Sequence, residues 1–239
     1  MLGKLVKLDL RFAYKKYLAM AALLIASGIF LPWIADVSQA VGIMGVFVIG
    51  FVVIAVLSIV LVFQSFSHNL FGTEGYLMHT LPVKPWQLVT SKLITTFVWF
   101  NLMVAAMLVM SVLMSRDEFV VFNLEGFQWA YLGDFLIAIA KAHLAVNIAM
   151  LMTVLSIYLG IAVSSVSHRG KRSGKLIGGI VGFAALWLAG LAIDWLSSKI
   201  YGGYSFDQGW WVECLLFAAF GALYFVVTTY LIGHKLNLR

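Results

Sequence analysis

The sequence predicts an all-α membrane protein: six transmembrane helices, an N-terminal amphipathic interfacial helix, and a short cytoplasmic helix between spans two and three. Three observations carry that prediction. The 239 residues are 63% hydrophobic and only 11% charged, against about 25% charged in soluble domains. The mean hydropathy is +1.01. Apolar runs long enough to cross a bilayer recur along the whole chain, separated by short polar or aromatic connections.

The chain opens with an amphipathic segment, residues 1–16. Lys4, Lys7, Arg11 and Lys15 fall on one helical face, and Leu5, Val6, Leu8, Phe12 and Ala13 supply apolar surface on the rest. That pattern predicts a helix lying on a membrane leaflet with its basic side towards anionic headgroups. Residues 18–35 form the first span. A cleaved signal peptide ending near Ser38-Gln39-Ala40 is the competing reading. The apolar run is longer than the roughly 7–15 residues such peptides use, which favours a retained helix.

The second span is 40–63 and the third 93–114. The fourth apolar stretch, 135–166, is too long for one perpendicular crossing, since a helix of that length reaches about 48 Å. Either it tilts steeply or its first part lies outside the hydrocarbon core. Spans five and six are 176–196 and 212–232, joined by an aromatic-rich connection suited to an interfacial belt. No internal repeat, linker or second soluble domain is visible, so 1–239 reads as a single membrane domain.

Six spans place both termini on one side, and charge identifies it. Of the 16 Lys and Arg residues only Arg116, Lys141 and Lys199 fall on the other side. The positive-inside rule therefore predicts a multi-pass protein of the cell membrane with cytoplasmic termini and cytoplasmic loops at 64–92 and 167–175. The formal charge of +6 is explained by this topology, and no nucleic-acid partner is expected. The single cysteine, Cys214, excludes an internal disulfide and a cysteine metal site.

The stretch Asn69 to Lys92 organises the rest. Gly72 and Gly75 permit a sharp turn, and Pro82 and Pro85 prevent an approaching helix from continuing. Between them Tyr76, Leu77 and Met78 read as a short amphipathic helix, with Glu74 near its N-terminus, where the helix dipole favours a carboxylate.

Catalytic motifs are missing. There is no G-x-x-x-x-G-K-[ST], H-E-x-x-H, D-x-D or G-x-S-x-G. The five histidines are scattered, and His68, His79, His168 and His234 sit in or beside cytoplasmic loops. His143 and Asn147 share a face at i, i+4, and Asp134 and Lys141 share one at i, i+7. These four residues are the candidates for a polar pathway lining, against a bland reading as solvated or snorkelling side chains at the outer interface. Gly178 and Gly182 form a small-xxx-small pair that lets another helix approach closely, inside the chain or as a seam between two copies.

This arrangement resembles the permease of an ABC transporter of the type-2 exporter class, similar to small bacterial permeases that export peptides or antibiotics. The resemblance covers the layout of the whole chain. It is specific chiefly at Glu74-Gly75, Leu81-Pro82-Val83 and Ser91-Lys92. It implies that Glu74, Gly75, Tyr76, Leu77, Met78 and His79 form a coupling helix docking on a separate ATP-binding subunit. Two such subunits, carrying ATP and Mg, would pair with two permease copies, so this chain would be non-catalytic and hold no cofactor itself. The implied cargo is an amphipathic peptide, a toxin or antimicrobial, or a hydrophobic small molecule, moved out of the cytoplasm or inner leaflet. An ion-coupled secondary transporter and an integral-membrane enzyme remain the alternatives from other classes.

Overall fold

The computed structural model describes residues 2–34, 50, 52, 56–57, 59–63, 84–114, 132–167, 172–201 and 206–234. Five long helices account for nearly all of them: α1 (Leu2–Ile34), α2 (Pro85–Met114), α3 (Leu132–Ser167), α4 (Arg172–Tyr201) and α5 (Phe206–His234). Residues 50, 52, 56–57 and 59–63 are helical too, and no strand occurs among the described residues. All five long helices contain stretches long and apolar enough to cross a membrane. The chain is therefore an all-helical protein built to pass through a bilayer several times. Helices satisfy their own backbone polar groups, which the hydrocarbon core demands.

The chain divides into two compact units, one formed by Met1–Leu61 with Ile94–Phe135, the other by Val62–Leu93 with Leu136–Arg239. In the first unit, Tyr17 and Ala21 of α1 pack with Trp99, Met103 and Ala106 of α2, and Leu61 lies against the same cluster. The Tyr17 and Trp99 rings stack at 4.9 Å. Further along, the Ser27 hydroxyl lies 3.7 Å from the Met110 sulfur. At Gly28 an added Cβ would lie 2.9 Å from the Met110 carbonyl oxygen, so glycine is needed for the close approach. Residue numbers rise together on both helices, so α1 and α2 run parallel.

One expectation is changed here. Residues 1–16 and 18–35 were predicted as an interfacial helix followed by a separate span, whereas α1 continues unbroken from Leu2 to Ile34. Nothing between Lys16 and Leu18 stops a helix: there is no Pro or Gly, and alanine, leucine and lysine all favour helix. The buried residues Leu5, Asp9, Tyr17 and Ala21 recur every four residues or multiples of it and form one stripe running through both halves.

The second unit is built around α3. Half of its most apolar stretch is buried, the largest share of the five. Gly160 of α3 crosses α4 where a Cβ would fall 2.8 Å from the Gly182 amide nitrogen and collide with the Gly178 carbonyl oxygen. On the other side, Gly221 of α5 packs on Met152 and Leu155 of α3. The Tyr224 hydroxyl of α5 donates to the Ala185 carbonyl of α4 at 2.6 Å. These contacts make α3 and α4 an antiparallel pair, with Ser164 beside Gly178 and Ser156 beside Gly182.

The predicted second span, 40–63, is described only at its scattered helical residues. The described helices otherwise overrun their predicted spans: 93–114 is the end of a helix starting at Pro85, and 176–196 lies within Arg172–Tyr201.

Candidate functional site

The end of α2 that follows the organising loop carries a defined cap. Lys84 stands at the N-cap, Pro85 at the first helical position and Gln87 at the third. The Gln87 side-chain oxygen accepts from the Lys84 backbone N–H at 3.2 Å, and the Gln87 backbone N–H donates to the Lys84 carbonyl at 2.9 Å. This is the reciprocal half of a capping box, with proline where its missing N–H costs nothing. Pro85, expected to stop a helix arriving from the loop, starts the one leaving it; the residues before Lys84 lie outside the described ones.

Directly behind the cap the helix is sunk into protein. Leu88, Val89, Ser91 and Lys92 are all buried, Lys92 with only 2% of its surface exposed. The Ser91 hydroxyl donates to the Leu88 carbonyl at 2.9 Å. A buried ammonium is costly unless its environment compensates it, and Lys92 does have interacting partners. Gly233 of α5 lies against Pro85, where an added Cβ would meet the Pro85 Cγ at 3.3 Å. The last turn of α5 and the first of α2 therefore lie side by side. Sequence reasoning counted Lys92 as the end of a polar loop, and its burial inside a helix was not foreseen.

The implied docking residues Glu74, Gly75, Tyr76, Leu77, Met78 and His79 lie outside the described residues. Of the proposed polar pathway residues, all on α3, His143 and Asn147 come together as their spacing predicted. The Asn147 Nδ2 donates to the His143 carbonyl at 2.9 Å and lies 3.1 Å from His143 Nε2. Asn147 is buried while His143 is exposed, so the pair straddles the edge of the packed region. Asp134 is exposed. Lys141 places its Nζ 5.6 Å from the centre of the Trp210 ring, a cation–π contact tying α3 to the start of α5.

Gly178 and Gly182 face α3 of their own chain, at Gly160, Ser164 and Ser156. The surface of α4 that they open is thus occupied internally. Gly160 is the missed partner. Ser156 and Ser164 flank it at the four-residue spacing, a small-xxx-small row on α3 that matches the one on α4 and was the available signal.

Among the described residues two buried polar atoms, the Trp99 Nε1 and the Thr228 Oγ1, have no hydrogen-bond partner. Among the described residues no group of three His, Cys, Asp or Glu side chains is placed to hold a metal ion. In comparisons with protein-family models, curated proteins and solved structures, none matches the chain.

Proposed function

We propose that this chain is the membrane subunit of an ATP-driven exporter of the type-2 ABC class, powered through the loop that precedes α2. The observation that carries this reading is the seating of α2: the loop feeds directly into a capped helix in which Leu88, Val89, Ser91 and Lys92 are buried almost completely. A push on the loop would be delivered to a rigid thirty-residue helix instead of being absorbed by a flexible joint. No nucleotide-binding motif is found in the chain, and this reading assigns the energy supply to a partner.

Helix directions support the same layout. Parallel α1 and α2 require the chain between them to return to its starting side, which fits a second crossing over 40–63. The α5 terminus beside Pro85 fits a C-terminus on the side of the loop. With the basic residues concentrated there, the positive-inside rule makes that side cytoplasmic. ATP and Mg would be held by two copies of the partner, closing on each other and tilting two permease copies. Because α3 covers Gly178 and Gly182, pairing between copies would draw on other faces of the bundle. The cargo we favour is an amphipathic peptide, since apolar, methionine-rich surfaces adapt to varied partners.

Co-purification with candidate ATP-binding subunits tests the reading. Wild-type chain should capture an active ATPase, and Glu74→Arg and Tyr76→Ala should abolish capture while leaving the chain folded. Added amphipathic peptide should stimulate ATP hydrolysis in the reconstituted complex more than lipid does. A chain that moves or modifies a substrate on its own overturns the proposal in favour of a secondary transporter or membrane enzyme.

A further inference from the structure

The N-terminal half of α1 carries two stripes on opposite sides. Leu5, Asp9 and Tyr17 are buried, whereas Lys4, Lys7, Arg11 and Lys15 are exposed. At about 100° per residue these rows are separated by roughly half a turn of the helix. Packing of the first row fixes the helix about its axis, so the basic row cannot rotate away from its surroundings. Asp9, the single acidic residue of α1, belongs to the buried stripe. The charged side chains of the exposed face are therefore all cationic.

That face changes character abruptly. After Lys15 it continues as Leu18, Ala19, Ala22 and Ile29, all exposed, with no charge to the end of the helix. From Leu18 to Ile34 the helix rises about 25 Å, a few ångströms short of a roughly 30 Å hydrocarbon core, a gap that snorkelling lysines and local thinning of the bilayer close. The charge step thus falls at the level where headgroups give way to acyl chains. Beside the step, Lys16 sits with its Nζ 5.8 Å from the centre of the Phe12 ring, and Lys15 with its Nζ 6.0 Å from that of Tyr14. Both distances lie at the outer end of the cation–π range.

We infer that α1 holds a site for an anionic phospholipid, its phosphate on Arg11 and Lys15 with the exposed Lys16 flanking them from further round the helix, and an acyl chain along Ala19, Ala22 and Ile29. Charge sign and the position of the step select this occupant. A zwitterionic lipid would gain little from three cations, and a soluble phosphate would leave the apolar continuation unused. Because the helix is unbroken, the site is local to the step and does not extend over the whole basic segment: Lys4 and Lys7 lie further out, where the attraction is screened. The inference rests on α1 as a membrane-crossing helix and is independent of whether an ATPase partner exists.

Native mass spectrometry of the purified full-length chain, titrated with phosphatidylglycerol or phosphatidylcholine of matched acyl chains, tests it. Phosphatidylglycerol should be retained at least about tenfold better, given the attraction each cation exerts near an anionic headgroup. The triple variant Arg11→Gln, Lys15→Gln, Lys16→Gln should lose that preference, while Lys4→Gln with Lys7→Gln keeps it to within about twofold. Thermal unfolding of each variant in detergent confirms that it is folded before its lipid binding is read. Should the triple variant fail that check, Lys15→Gln alone is scored and should lower the preference by about fivefold. Equal retention of the two lipids, or an unchanged preference in a folded triple or single variant, overturns the inference.

Discussion

Tyr17 and Trp99 stack face to face, their ring centroids 4.9 Å apart and their planes within 3° of each other. Both rings are almost wholly buried, and they form the mid-helix contact between parallel α1 and α2. Inside a bilayer, where lipid is as apolar as the side chains, the stack must hold the helices by close packing.

Replacement at Trp99 should separate packing from polarity. Trp99→Ala leaves Tyr17 without its partner and opens a cavity, so it should cost about 3 kcal/mol. Trp99→Phe keeps a ring against Tyr17 and removes the Nε1 proton that has no acceptor. It should be far milder, within about 1 kcal/mol of wild type. Thermal unfolding in detergent, followed by tryptophan-independent circular dichroism, measures both.

Glycine substitutions should divide sharply by position. Gly160→Ala drives a methyl into backbone atoms of α4, which cannot yield as a flexible side chain would, and should destabilise by about 1–3 kcal/mol. At Gly179 and Gly190 an added Cβ meets nothing within 4 Å. Alanine there should be neutral or stabilise by up to about 1 kcal/mol through helix propensity. Unfolding midpoints of the three single variants provide the comparison.

Asn147 should tolerate an apolar replacement better than an acidic one. Its amide donates to the His143 carbonyl one turn back in its own helix, and even hydrogen bonds between membrane helices average only about 0.6 kcal/mol. Asn147→Leu should therefore cost under about 1 kcal/mol. Asn147→Asp replaces the donor with a carboxylate facing the same carbonyl and should cost at least about 2 kcal/mol. Urea or detergent-titration unfolding distinguishes the two variants.

The cap of α2 should be measurable by itself. Gln87→Ala removes the side-chain acceptor for the Lys84 N–H and should lower stability by about 0.5–1 kcal/mol. The loss should appear first as faster amide exchange over residues 84–88, with exchange near Met103 unchanged. Hydrogen exchange read by mass spectrometry resolves those two regions.

Helix class and approximate helix positions were legible in the sequence because hydropathy reports them directly. Hydropathy reads only the part of a helix that lies in hydrocarbon, which is why 93–114 and 176–196 fall short of the helices containing them. The cap at Lys84 and Gln87 was visible as residues, yet Pro85 looked like a terminator. A proline excludes a helix on its N-terminal side and suits the first turn of the next one equally well. The Gly178/Gly182 pair announced a close crossing without naming the partner, since the matching row Ser156, Gly160 and Ser164 holds only one glycine and its serines read equally well as ordinary polar positions of a membrane helix. The joining of 1–16 to 18–35 was missed because a change in amphipathic character resembles a boundary, although no helix-breaking residue marks one. Burial of Lys92 was illegible for another reason: burial of a charge is decided by groups brought near it by other segments.

The two kinds of helix pairing imply an order of assembly during synthesis. Antiparallel α3 and α4 are joined through 168–171, so the crossing at Gly160 can close as soon as α4 leaves the ribosome. Tyr17 must instead wait for Trp99. At roughly 5–20 residues per second that delay is on the order of ten seconds, during which α1 sits in the membrane with its tyrosine unstacked. A nascent chain arrested shortly before Trp99 emerges would thus offer that surface to insertion factors or chaperones, and one arrested after it would not.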